Sequence, residues 1–411
     1  SLKRPDCRVF LPLHPIPGQA EGDFRLSRRA VFEQFFLGAR GGIVEHADVW
    51  FDAKVEPSGK PLPVIASDDA PALAGLPLAG GPLGFAAIEV IERMGAAIQR
   101  RTISVGDSFE TEWGRHTLEA SALLAAITGA RPRLAGLSLD RPRIMGIVNV
   151  TPDSFSDGGS YASAKAAIDH GLRLVEEGAD ILDIGGESTR PGSDAVAIDE
   201  ELKRVMPVLE GLRAKTGALI SVDTRKSEVM RRAADAGADI LNDVSALTHD
   251  PAALETAAAT GLPVMLMHAQ GDPKTMNDNP RYTDVVLDVF DFLEQRIRVC
   301  EAAGIPKAKI VVDPGIGFGK HLSHNVAVLA AMSVYHGLGV PVLLGASRKK
   351  LIGQLCNVDD PKERVPGSLA AALASVAQGI QIVRVHDVAA TRQAVSVWRA
   401  MSSGNEARVR G

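Results

Sequence analysis

The chain has 411 residues, a formal net charge of -5, and is 45% hydrophobic and 23% charged. That balance excludes a disordered protein and argues against a general nucleic-acid binder, whose domains are strongly basic. An anionic ligand would have to be held by a local arrangement of Arg, Lys and backbone N–H groups.

The length predicts one large domain plus a smaller one. Cys7, Cys300 and Cys356 are too far apart for metal-ligand spacing and read as buried or idle thiols in a reducing compartment. No charged-then-apolar leader opens the sequence, and no apolar run approaches the roughly 20 residues that span a bilayer. A soluble, cytoplasmic protein is expected.

Residues 1–133 hold most of the scattered aromatics, among them Phe32, Phe35, Phe36, Trp50, Phe51, Phe85 and Trp113. Gly- and Pro-rich stretches such as 76–84 interrupt them. Helices are expected over 28–37, 86–99 and 118–127, giving a small α+β domain with no acid, base or metal cluster. A linker over 131–143 leads into a second domain, 134–403, followed by a flexible tail, 404–411.

From residue 143 onward, short β-branched apolar runs alternate with longer Ala-, Leu- and charge-rich segments of helical spacing. Strands are expected over 143–150, 180–184, 218–223, 239–243, 263–268, 309–313, 341–345 and 381–386. Helices are expected over 164–177, 200–215, 226–236, 282–303 and 367–378, among others. The strands show little in/out alternation of polarity, as in parallel sheets covered on both faces. Eight strand–helix units in this length predict a (β/α)8 TIM barrel. An open doubly wound sheet fits less well: no G-x-G-x-x-G follows the first strand, and polar residues end nearly every strand.

Those ends are Asn149, Asp183, Asp223, Asn242, His268, Asp313, Ser347 with Lys349, and Arg384 with His386. Burying so many polar groups in one barrel mouth is costly unless a ligand or their neighbours pair with them. Alternation points Arg384 and His386 the same way. Loops after strands seven and eight are where such barrels commonly hold phosphate, so Lys349 and Arg384 suggest an anion with more than one phosphate. The alternative for Arg384 is an ion pair with a neighbouring carboxylate such as Asp387. Asp223, Asn242 and Asp313 suit a flat heterocycle with an aminopyrimidine edge, or a cation developing on it. A zinc-type site is disfavoured because no His stands at suitable spacing. The glycine loops 185–192 and 313–320 allow close backbone approach to a ligand.

Long stretches then match one family. GIVNVTPDSFSDGG over 146–159 resembles the first signature of the dihydropteroate synthases, and DIGGESTRPG over 183–192 resembles the second. MHAQGDPKTM over 267–276, GASRK over 345–349 and RVHD over 384–387 are similar to further family motifs. The resemblance runs from about Leu134 to Met401. It implies a transferase joining 6-hydroxymethyl-7,8-dihydropterin diphosphate to p-aminobenzoate, through a cationic pterin intermediate, in folate biosynthesis.

By the same resemblance, Asp223, Asn242, Asp313, Lys349, Met267 and Gly317 hold the pterin, with Asp223, Lys349 and Asp313 catalytic. Asn149, Thr189, Arg190, Arg384 and His386 hold the diphosphate, Asn149 also touching Mg2+. Phe155, Pro191, Phe318 and Ser347 shape the aminobenzoate slot, and loops 151–160 and 186–193 cover the site. The family forms dimers through late helices, so a homodimer is expected. Ile316 and Ala269 stand where Phe and Met are frequent, which touches packing more than chemistry. The rivals are a methyltetrahydrofolate-binding methyltransferase domain, which needs no diphosphate site, and a non-catalytic paralogue. Many relatives begin near Leu134, so residues 1–133 are an extension, expected to serve packing or oligomerisation.

Overall fold

The computed structural model describes residues 8–10, 48–52, 76–85, 87–94, 97–104, 117–150, 160–188, 192–271, 275–276 and 278–403. Eight parallel strands form the larger body: β7 (Arg143–Asn149), β8 (Ile181–Gly185), β9 (Leu219–Asp223), β10 (Ile240–Asp243), β11 (Val264–Met267), β12 (Ile310–Asp313), β13 (Leu343–Leu344) and β14 (Ile382–Val385). They hydrogen-bond in the order β12-β11-β10-β9-β8-β7-β14-β13. A parallel bridge between Val312 and Val342 joins β12 to β13 and brings the ends of the sheet together as a barrel.

Around the barrel run α2 (Ser160–Glu176), α3 (Ile198–Arg213), α4 (Ser227–Asp235), α5 (Ala253–Thr260), α6 (Val285–Ala302), α7 (Leu322–Ala330), α8 (Lys350–Cys356), α9 (Val365–Val376) and α10 (Val388–Ser403). The clearest start signal is at α6, where Asp284 accepts from the N–H groups of Val286 and Leu287, the bonds that an N-cap supplies.

Side chains alternate across each strand, and this determines what fills the barrel. Met145, Ile181, Leu219, Ile240, Met265, Val311, Leu343 and Ile382, one from each strand, form a single apolar layer. Leu134 and Leu139 close it from below. The opposite side chains, such as Val148, Leu182 and Val222, pack outward under the helices.

The extension differs from expectation in one respect. Residues 87–94 and 97–99 are not helical: β5 (Ala87–Met94) and β6 (Ala97–Ser104) pair antiparallel, Met94 opposite Ala97. Glu89, Glu92 and Arg93 imitate helical charge spacing, but β-branched Ile88, Val90, Ile91 and Ile103 favour a pleated surface and are buried there. The strands β1 (Arg8–Phe10) and β2 (Asp48–Asp52) lie against β5, and β3 (Leu76–Pro77) pairs with β4 (Gly84–Phe85).

The helix expected over 118–127 is α1 (Thr117–Thr128), whereas 28–37 lies outside the described residues. The described extension shares its apolar core with the barrel: Phe85, Ile88, Val90 and Ile103 belong to one cluster with Phe290, Leu293 and Tyr335. Arg93 also donates to Asp291 of α6 at 2.8 Å. Cys300 is buried, which pushes its thiol up to about 11, and Cys356 is exposed; both are free, and Cys7 lies outside the described residues.

Candidate active site

Two residues above the apolar layer, the same alternation turns Asp183, Asn242, Met267, Asp313, Gly345 and Arg384 into the barrel mouth, with Asn149, Gly185 and Asp223 at or above their level. Glycine keeps the centre open. A Cβ on Gly345 would stand 3.6 Å from Asp313 Oδ2, and one on Gly185 would stand 3.6 Å from the Asp223 Cβ.

Arg384 is the hub. Its Nε donates to Asp183 Oδ2 at 2.6 Å and its Nη2 to Asp223 Oδ2 at 3.0 Å. Asn242 Nδ2 donates to the same Asp183 oxygen at 3.2 Å. Burial drives the Asp223 carboxyl up to about 7, helped by the nearby Asp183 charge and opposed by Arg384. Burial also works against the guanidinium, but Asp183 and Asp223 outweigh it and hold Arg384 above its usual range. The alternative partner, Asp387, is taken by a bidentate pair with Arg348, whose Nε lies at 2.9 Å.

Beside this array, Asp313 Oδ1 accepts from the Gly315 N–H at 2.7 Å. Burial raises the Asp313 carboxyl, with Lys349 the chief opposing charge. Lys349 Nζ donates to the Ile316 carbonyl and lies 4.6 Å from the centroid of the Phe318 ring. Burial lowers this ammonium to about 8 against the pull of Asp313. Gly317, at φ +85°, leaves room for the stem: a Cβ there would meet Lys349 Cδ at 3.4 Å. Ile316 is fully buried and contributes only its carbonyl, so its departure from Phe does fall on packing.

The structure therefore brings Asp223, Asn242, Asp313, Lys349, Met267 and Gly317 to one mouth. Ser347 joins them through His386, whose Nδ1 is 3.0 Å from Ser347 Oγ and whose backbone N–H donates to that oxygen at 3.2 Å. Asn149 ends β7 beside Gly185 in the register. Phe155, Thr189, Arg190 and Pro191 lie outside the described residues.

His268 does not join the mouth. Met267 takes the inward position, so His268 falls on the other face, buried against Phe292 at 5.0 Å between ring centroids. There its Nδ1 is 2.9 Å from Lys320 Nζ. Burial, then the Lys320 charge, holds this imidazole well below its usual range, so Nδ1 accepts and Nε2 carries the proton.

Two supports escaped the sequence reading. Lys320 Nζ, besides His268, donates to the carbonyls of Gly315 at 2.9 Å and Phe318 at 3.2 Å, bracing the glycine loop. Burial lowers its ammonium to about 7. Under the loop after β8, Glu187 accepts from Arg225 at 2.9 Å and Lys226 at 2.9 Å, and Lys226 also donates to Glu201. The backbone N–H of Val196 reaches Glu187 at 3.3 Å, tying the far side of that loop to the same carboxylate. The side-chain partners, His268 for Lys320 and Arg225 and Lys226 for Glu187, are distant in sequence, so only a pairing signal between positions could have revealed them.

Among known proteins, residues 145–386 match the family described as pterin binding enzyme. The dihydropteroate synthase of Escherichia coli strain K12 is 51% identical over 270 residues, covering 66% of this chain and 95% of that protein. That of Haemophilus influenzae is 49% identical over 268 residues, covering 65% and 96%. Among solved structures, Xanthomonas albilineans dihydropteroate synthase with 4-aminobenzoic acid superposes with a TM-score of 0.63 at 54% identity, covering 67% of this chain and 99% of that one. The same enzyme in complex with 7,8-dihydropteroate gives 0.60 at 51% identity, covering 66% and 99%. Barrel, mouth and these likenesses agree: the chain belongs to the pterin-binding enzymes and, within them, to the dihydropteroate synthases.

Proposed function

We propose that this transferase condenses 6-hydroxymethyl-7,8-dihydropterin diphosphate with p-aminobenzoate, giving 7,8-dihydropteroate and diphosphate. The observation that carries the proposal is the Asp183–Arg384–Asp223 array lying beside Asp313 and Lys349 in one barrel mouth. Asp223, Asn242 and Asp313 offer acceptors to the N–H edge of the pterin, while the Asn242 amide and Lys349 offer donors. The same carboxylates favour positive charge on the ring as diphosphate departs, an electrostatic contribution that a half-buried site strengthens.

Arg384, His386, Asn149, Thr189 and Arg190 take the diphosphate. Loops 151–160 and 186–193 keep water from the cation until the arylamine, seated among Phe155, Pro191, Phe318 and Ser347, attacks. The donor set fits Mg2+. No cluster of three or more His, Cys, Asp or Glu suited to a metal exists among the described residues. Asn149 supplies one neutral oxygen, as expected for an ion held mainly by phosphate oxygens and water. Held there, Mg2+ would neutralise charge on the diphosphate.

No described helix is long and apolar enough to cross a membrane. We place the enzyme in the cytoplasm as a homodimer, formed through α7, α8 and α10, where Val326, Leu355, Val397 and Met401 are exposed.

The test is diphosphate release by the full-length protein from the pterin diphosphate with Mg2+, with and without p-aminobenzoate. Amine-dependent release is expected. A methyltransferase domain or a non-catalytic paralogue would bind pterin and release nothing.

A further inference from the structure

Where β10 leaves the barrel, the backbone makes a turn that side chains disfavour. Ala246 and Leu247 have φ of +54° and +60°, the only successive non-glycine pair in the left-handed region among the described residues. There a Cβ crowds the following carbonyl oxygen, so such residues persist only where their surroundings hold them.

Two charged side chains supply that hold. Asp243, buried at the end of β10, accepts from the Ser245 N–H at 2.7 Å, the Ser245 hydroxyl at 2.6 Å and the Leu247 N–H at 3.0 Å. From α6, Arg296 spans the strained pair: its Nε donates to the Ala246 carbonyl at 2.9 Å and its Nη2 to that of Leu247 at 3.4 Å. A guanidinium fork suits two neighbouring carbonyls better than a single ammonium does. The Ala246 and Leu247 side chains are buried, the leucine in one cluster with Leu293, Ile297 and Cys300 of α6. The turn is thus pinned to α6 through both backbone and side chain.

Asn242 stands next to this turn. Its Nδ2 reaches Asp183 Oδ2 at 3.2 Å, and its carbonyl accepts the N–H of Thr224, the residue after Asp223, at 3.0 Å. Relaxing residues 246 and 247 to negative φ would break their bonds to Asp243 and Arg296 and pull on the strand end that carries Asn242. We infer that Arg296 is a positioning residue for the pterin: by holding the left-handed turn it fixes Asn242 against Asp183 and the end of β9. The inference rests on the pterin site proposed above, and Arg296 acts through the turn rather than on the ligand itself. A role in stability alone would lower the melting temperature and leave ligand affinity untouched.

The test is calorimetric titration of the full-length protein with 6-hydroxymethyl-7,8-dihydropterin, which carries no diphosphate and needs no turnover. Affinity falls with the fraction of molecules that keep the turn, so Arg296→Met should bind about fivefold or more weakly. Adding Ala246→Gly, which holds a positive φ without penalty, should recover most of that loss. Arg296→Lys keeps the charge and one donor; it should lie between parent and Arg296→Met, and Ala246→Gly should again restore it. In turnover, the KM for the pterin diphosphate should rise in Arg296→Met, while that for p-aminobenzoate at saturating pterin diphosphate should not. Parent-like pterin affinity in both Arg296 variants would overturn the inference, as would no recovery with Ala246→Gly or an equal rise in both KM values. A parent that fails to bind the pterin would instead refute the proposed function, and this inference with it.

Discussion

Replacing Arg384 by Met keeps much of its stem and removes the charge that joins Asp183 to Asp223. Asp183 is fully buried, the Asp223 side chain is 11% exposed and that of Arg384 is 21% exposed. Breaking a buried pair costs about 3–5 kcal/mol, and the exposed fifth of Arg384 argues for the lower edge, about 3 kcal/mol. For a barrel of this size that corresponds to a fall of about 6 °C in melting temperature at pH 8.

The loss depends on pH. In the unfolded chain Asp223 ionises near the ordinary value of about 4, whereas the folded protein keeps its proton up to about 7. Between those values the folded state binds more protons, so this group's contribution to stability falls as pH rises through the window. Without Arg384 the folded carboxyl rises further, so the deficit of Arg384→Met against the parent should be largest above pH 7 and shrink by pH 5. Calorimetric melts at pH 5 and 8 measure it. Adding Asp183→Asn to Arg384→Met should recover part of the loss by removing one orphaned charge. A melting temperature within 1 °C of the parent at pH 8, or strict additivity in the double variant, would refute a coupled buried array.

Three further expectations concern the supports. Glu187→Gln removes the carboxylate that Arg225 and Lys226 share, leaving Lys226 with Glu201, and should cost about 3 kcal/mol; melting curves read this, and Lys226→Met in the same chain should restore part of it. Lys320→Met strands two carbonyls and the His268 Nδ1, for about 1–3 kcal/mol at high pH. Because folded Lys320 loses its proton near 7 and the unfolded side chain near 10.4, the parent gains stability from this residue as pH rises across that window; melts from pH 7 to 10 should show a larger gain in the parent than in Lys320→Met. Gly315→Ala would hold an L-residue at φ +72° with its Cβ 1.9 Å from the His268 carbonyl oxygen. It should lose at least about 2 kcal/mol, with pterin binding weakened in the same protein; unaltered melting would contradict the loop geometry.

What could be read from the chain follows from periodicity. A strand two residues above an apolar inward position must turn its next residue inward too, so Asp183, Asn242, Asp313 and Arg384 were recognisable as one set once the strands were placed. The same rule, applied one residue too loosely, put His268 in the mouth. Residues 86–99 misled because charges at helical spacing coexist with β-branched residues, and the neighbouring barrel surface, absent from any local window, decides between them. The partner of Arg384 was unreadable for a similar reason: Asp387 is close in sequence, whereas Asp183 is 201 residues away. Lys320 with His268, and Glu187 with Arg225 and Lys226, span 52, 38 and 39 residues.

These long pairings bear directly on how the mouth handles charge. Two cations, Arg384 and Lys349, face three carboxylates, Asp183, Asp223 and Asp313, across the glycine-lined opening. Burial lifts Asp223 to about 7 and drops Lys349 to about 8, so neither group is firmly committed to its charge near neutral pH. With Asp223 protonated the floor is close to neutral, which suits an uncharged ring. With Asp223 ionised it carries a net negative charge, which suits a ring turning cationic. Arg384 governs the balance because it touches both Asp183 and Asp223. A residue that the sequence assigned to the departing diphosphate thus also sets the electrostatics of the ring that diphosphate leaves.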